Sequence, residues 1–178
     1  VRQAAAAYCL TAVLALAACA TSPRVTSDYD KSAEFSGLRT FALLVRPHPS
    51  THTSPLVEQR TYDAIREELT SKGFASVRDP GQADFVVDFS IGAEDRLYVR
   101  SHSRMSPPGP GSWDMWGDDI DVHQYQEGTL AIDIFDARSR RAVWHGSAKK
   151  RLSRSDVEQS ETPIREAVSA VLTNFPPK

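Results

Sequence analysis

Apolar positions along this chain recur in two rhythms, one of about three and a half residues and one of two, and the changes of rhythm mark its elements. Leu38 to Val45 is a dense apolar run closed by Pro47 and Pro49, with the length and boundary of a largely buried strand. After a loop rich in Pro, Ser and Thr, Ser54-Pro55 has the form of an N-cap followed by proline in the first helical position, and Glu58 adds negative charge to the first turn. Tyr62, Ile65 and Leu69 then recur at helical spacing, and Thr61 and Ala64 widen the stripe. Gly73 marks the stop, with Phe74 placed to pack back on Leu69.

Strand alternation follows. A short strand is expected from Phe74 to Arg78 and a turn at Asp79-Pro80-Gly81. From Ala83 to Ile91, Phe85, Val87, Phe89 and Ile91 share one face while Asp84, Asp88 and Ser90 share the other, so one face is core and one is wet. Arg96 to Arg104 alternates again through Leu97 and Val99, and the intervening Gly92-Ala93-Glu94-Asp95 reads as the turn of a hairpin. Met105 to Gln126 breaks the pattern at Pro107-Pro108-Gly109-Pro110 and reads as a long loop, residues 105–126, with at most a short strand near Ile120 to His123.

A second hairpin places Leu130, Ile132 and Ile134 on one face, turns at Arg138 to Arg141, and returns through Val143, Trp144 and Ala148. From Pro163 on, Ile164, Val168, Val171, Leu172 and Phe175 fall on one helical side until Pro176-Pro177 stops the helix. Burying each such side chain stabilises the fold by about 1.5 to 3 kcal/mol before entropy is counted, so this helix is structural. The order predicts a single α+β domain: a mixed, mostly antiparallel sheet with two helices packed on one face, and a right-handed parallel crossover from the first strand through the first helix.

Ahead of this domain, Arg2 and the apolar segment Ala4 to Ala15 lead to Leu16-Ala17-Ala18-Cys19, a small-residue cleavage site ending in cysteine. The segment is too short to span a bilayer. Its resemblance to bacterial lipoprotein signals implies that residues 1–18 are removed as a signal peptide and that Cys19 becomes an amino terminus carrying acyl chains, palmitate among them, on its sulfur and amine. Residues 19–27 then read as the lipidated cysteine and a polar tether, and residues 28–178 as the periplasmic domain. Ala20 stands where lipoproteins kept in the inner membrane often carry aspartate, so the expected location is the outer membrane, facing the periplasm.

The remaining chemistry is sparse. The formal net charge of −2 offers no basic face for nucleic acid. With Cys9 in the signal and Cys19 lipidated, no thiol pair is left to form a disulfide. A nucleophile elbow, a phosphate loop, paired metal histidines and a Cys/His pair are all missing from the sequence, so neither catalysis nor a cofactor is expected. Asp119, Asp121 and His123 alternate in a way that offers a divalent cation two carboxylates and an imidazole. Their spacing matches neither an EF-hand loop nor a zinc pattern, and a solvated acidic loop is the simpler reading. Trp113, Met115 and Trp116 contribute large adaptable apolar area and are candidates for contact with an envelope protein or glycan, or for a lid over the sheet. The leading expectation is a lipid-anchored, non-catalytic domain that binds another envelope component; a domain that binds a small ligand or a divalent metal is the alternative.

Several local motifs recur in order: Asp28-Tyr29-Asp30, Thr40-Phe41-Ala42, Lys72-Gly73-Phe74, Ala83-Asp84-Phe85-Val86-Val87, Glu127-Gly128-Thr129-Leu130, Asp136-Ala137-Arg138, Val143-Trp144 with Gly146-Ser147-Ala148, and Phe175-Pro176-Pro177. In these the chain resembles the bacterial envelope lipoproteins of the domain-of-unknown-function 4136 family, over nearly all of its expected mature length. The resemblance implies a lipidated periplasmic α+β domain and transfers no catalytic residues. That family often carries a Gly- and aromatic-rich segment where Met105 to Gln126 lies; here the segment is richer in proline and acid.

Overall fold

The structure, a computed structural model, describes residues 22–44, 53–104 and 117–177, with the backbone alone for 99–104 and 117–123. Six strands form one mixed sheet: β1 (Arg24–Tyr29), β2 (Thr40–Leu43), β3 (Ala75–Ser76), β4 (Phe85–Arg104), β5 (Gly117–Asp136) and β6 (Ala142–Leu152), in the order β1-β6-β5-β4-β2-β3. Helix α1 (Pro55–Ser71) connects β2 to β3, which pair in parallel; β4, β5, β6 and β1 are antiparallel neighbours. The expected α+β class and the packing of α1 and α3 (Glu161–Leu172) on one face hold, and a third helix, the short α2 (Arg154–Glu158), precedes α3.

Cross-strand register explains the core. Val87, Ile134 and Trp144 stand side by side on neighbouring strands, as do Phe89, Ile132 and Gly146, and Ile91, Leu130 and Ala148. Above these rows lie Ile65 and Leu69 of α1 and Ile164, Val168, Val171 and Leu172 of α3. Gly146 lets α3 approach the sheet closely: a Cβ there would run into the Trp144 ring and come within 2.7 Å of Val171 Cγ1. Just past α3, Phe175 packs against Phe74, Phe85 and Trp144 at centroid distances of 5.8, 5.5 and 5.5 Å, fastening the end of the chain to the core. Helix α1 begins as expected, with Ser54 Oγ accepting from Leu56 N, and Gly73 takes the left-handed φ of 94° that ends it.

Asp84 locks β2 to β4. Its Oδ2 accepts from the backbone N–H of Arg39 and Thr40, both at 2.9 Å, and from Thr40 Oγ1 at 3.0 Å, while its own N–H donates to Thr40 O. The N–H of Arg39, then that of Thr40, hold the Asp84 carboxyl below the usual carboxylate range, against some desolvation. Alternation puts Asp84 on the wet face; that it clasps another strand's backbone is visible only in three dimensions.

Three boundaries differ from the sequence expectation. Residues 92–95 are not a turn: β4 runs straight through them, with Gly92 opposite Thr129 and Asp95 opposite Gln126. Their composition suits a turn, yet each of the four keeps its place in the antiparallel register with β5, which also pairs with β6 up to Gln126 and so holds this stretch extended. Residues 117–126, read as part of a long loop with at most a short strand near Ile120 to His123, are the first half of β5. Residues 24–27, read as tether, belong to edge strand β1, whose polar side chains hide a strand held by backbone pairing to β6.

Two outcomes are expected in urea unfolding. Gly146→Ala costs about 1 to 3 kcal/mol, because rigid neighbours on two elements must shift; a loss under about 0.3 kcal/mol, inside the range of neutral surface changes, contradicts this packing. Asp84→Ala costs about 1.5 to 3 kcal/mol near neutral pH, the range for hydrogen bonds to a charged acceptor. A lowered folded-state pKa means that the contribution of Asp84 is complete above the unfolded value near about pH 4 and is lost as pH falls through the folded value. The difference between wild type and variant therefore shrinks as pH is lowered below about 4; an undiminished difference in strong acid refutes the clasp.

Candidate functional site

Beyond the core, β4 and β5 outrun their neighbours. Strand β6 ends at Leu152, opposite Gln126, so the register pairs from Arg96 with Tyr125 to Arg104 with Gly117 form a two-stranded ribbon projecting about 30 Å from the sheet. Among the described residues no third strand pairs with β4 after Val87 or with β5 before Gln126, which leaves the ribbon open along both edges. At its base Arg96 pairs with Glu94 at 3.1 Å and Glu127 at 3.7 Å, and the Arg151 guanidinium lies 4.7 Å over the Tyr125 ring. Leu97 is 69% and Tyr98 48% exposed on it. A two-stranded hairpin is at best marginally stable alone in water, and open strand edges with exposed apolar side chains are a template for pairing.

Asp119, Asp121 and His123 lie at alternate positions of this ribbon, opposite His102, Arg100 and Tyr98. Of these register pairs, Asp121 with Arg100 sets an acid opposite a base. The side chains of these three metal candidates lie outside the described residues, as do Cys19, Trp113, Met115 and Trp116 entirely. The chain between Arg104 and Gly117, which holds Trp113, Met115 and Trp116, joins the two ribbon strands at the far end from the core. Among the described residues no group of three His, Cys, Asp or Glu is placed to hold a metal ion.

A second feature was invisible in the sequence: a largely apolar cleft of about 380 Å³ beside the ribbon's base. Its floor is the end row of the sheet, Ile91, Leu130 and Ala148, and its walls are Val57 of α1 with Ile164 and Ala167 of α3. Strands that continue past the helix starts leave floor uncovered, and the small residues Gly92, Ala93 and Gly128 keep it open. Leu152, packed over Gly128 so that a Cβ there would approach it to 3.1 Å, closes one side; Val157 and Pro23 complete the lining.

One charged group sits in the wall. Lys150 Nζ, its side chain 12% exposed, lies 3.2 Å from Asp156 Oδ1 and 3.3 Å from Glu166 Oε2. Burial works to lower the Lys150 pKa, and its hydrogen bonds to Asp156 and Glu166 outweigh that and raise it, so the ammonium persists. Burial likewise works to raise the Asp156 pKa, and the Ser153 N–H, the Ser153 hydroxyl and Lys150 bring it below the usual range. Asp156 also closes the capping box of α2 with Ser153, so one carboxylate fixes this helix to the cleft wall.

The open face of the sheet carries a polar row: Asp28, His145, Asp133 and Asp88 stand on four adjacent strands, with His145 Nδ1 2.7 Å from Asp133 Oδ1. The row reads as cross-strand pairing of polar side chains on the face opposite the helices.

No protein of curated function matches the chain in sequence. Solved structures share the fold. A DUF4136 family protein from Bacteroides thetaiotaomicron is 17% identical with a TM-score of 0.54, over 87% of this chain and 96% of that one. A PelC dodecamer from Paraburkholderia phytofirmans is 12% identical with a TM-score of 0.52, over 85% and 95%. A PDZ domain protein from Parabacteroides distasonis is 15% identical with a TM-score of 0.57; 88% of this chain aligns, and it spans 37% of that longer protein. The model of the domain of unknown function DUF4136 matches residues 25–177, β1 through the segment after α3, and the chain belongs to that family.

Proposed function

We propose that this protein is a lipid-anchored, non-catalytic domain of the outer membrane, facing the periplasm, that binds another envelope component through the β4–β5 ribbon. The observation that carries the reading is the ribbon itself: nine register pairs outside the core, open along both edges and bearing exposed Leu97 and Tyr98. Strand addition to such an edge supplies main-chain hydrogen bonds, and Trp113, Met115 and Trp116 in the connecting segment supply apolar anchors. The chain reaches β1 from Cys19 at the same end of the sheet, since Arg24 is level with Lys149, Thr129 and Gly92. A short link there keeps the ribbon's base close to an anchored membrane surface. PelC assembles as a dodecamer, so a second copy of this chain is among the partners to be tested. The cleft favours one alternative reading, a domain that holds a small apolar ligand, since its volume falls in the usual range of about 300 to 1,000 Å³.

Cys19→Ser is expected to leave the fold intact and to release the protein from the membrane fraction, because acyl chains at roughly 0.8 kcal/mol per buried methylene are its hold on the bilayer. Continued cofractionation with the outer membrane would refute the anchor. In affinity capture from solubilised envelopes, Trp113→Ala and Trp116→Ala are each expected to weaken retention of the partner by more than about 1 kcal/mol. Leu97→Ser with Tyr98→Ser should weaken it too while changing unfolding stability by no more than about 0.5 kcal/mol per site. Capture that is indifferent to all four substitutions sinks the ribbon as the contact surface.

A further inference from the structure

The apolar cleft opens at the end of the sheet where the chain arrives from Cys19. Pro23 is part of its lining, four residues after Cys19, a separation that extended backbone spans in at most roughly 14 Å. The floor of Ile91, Leu130 and Ala148 presents apolar surface, and Val157 at the rim is 55% exposed, a cost that an apolar occupant would remove.

We propose that the cleft seats one of the acyl chains carried by Cys19, making the lipid anchor a structural ligand of the domain. The proposal rests on the reading of Cys19 as lipidated. Charge selects the protein's own chain over a free fatty acid. Among the described lining residues Lys150 is the one cation, and Asp156 and Glu166 already engage it, so the three side chains together carry surplus negative charge. A fatty carboxylate finds no counter-ion there, whereas an ester- or amide-linked acyl chain brings no charge to desolvate. The remaining acyl chains stay in the bilayer. With one chain held, the domain cannot turn freely about its tether, and the ribbon's base is kept at the membrane surface.

The test uses cells that make the full chain while growing on a diazirine-bearing fatty acid, which is built into lipoprotein acyl chains; membranes are irradiated, and the protein is digested and mapped by mass spectrometry. The expected result is an acylated Cys19 peptide cross-linked to peptides carrying Ala148 to Val157 or Ile164 to Ala167. Val157→Asp, at an exposed rim position, and Ala167→Phe, which fills the wall, should each reduce that product about fivefold or more, Val157→Asp without loss of fold. An acylated Cys19 whose cross-links reach only bilayer lipid overturns the seating and leaves the anchor standing. Acyl adducts in the cleft with no link to Cys19 overturn the choice of occupant in favour of a free lipid. An unacylated Cys19 peptide overturns the anchor reading and the proposal with it.

Discussion

The antiparallel pairing of β4 with β5 is the constraint on which everything else in this molecule depends. Twenty residues on each strand run in unbroken register, from Phe85 opposite Asp136 to Arg104 opposite Gly117. The half from Phe85 to Ile91 and Leu130 to Asp136 lies under the helices and supplies the centre of the core. From Arg96 opposite Tyr125 outward, the ladder leaves the core with no third strand beside it among the described residues. A single ladder thus serves as scaffold at one end and as presented surface at the other, and the cleft marks the place where helical cover stops.

Much of the scaffold was legible in sequence because burial there is periodic. The stripe Ile65 and Leu69, the alternation Phe85, Val87 and Phe89, and the tail Ile164, Val168, Val171 and Leu172 all reappear as buried positions of the expected elements, with Ile91 partly buried at the end of its row. The misread stretches share a physical cause. Arg24 to Tyr29 and Gly117 to Gln126 pair as strands with little apolar alternation in the sequence to announce them. Gly92 to Asp95 has the residue types of a turn and is straight because Gly128 and Glu127 face it across the ladder.

The candidate site was less legible still. The ribbon's apolar residues could be noticed, but its projection depends on where β6 stops relative to β5, a fact of register. The cleft has no sequence signature, since it is bounded by six elements, and the small strand residues that keep it open, Gly92, Ala93, Gly128 and Ala148, are each unremarkable in a strand. Lys150, Asp156 and Glu166 meet only because β6, α2 and α3 turn back on one another.

Amide hydrogen exchange along β4 and β5, measured on the Cys19→Ser protein alone and again with envelope membranes added, tests the two-part ladder most directly. For the isolated protein the account predicts slow exchange, near the global unfolding limit, for Phe85 to Ile91 and Leu130 to Asp136, and much faster exchange from Arg96 to Arg104 and Gly117 to Tyr125. Added envelope should slow the second set and leave the first unchanged. Equal protection of both halves in the isolated protein would contradict it, as would a ribbon whose exchange the envelope does not alter.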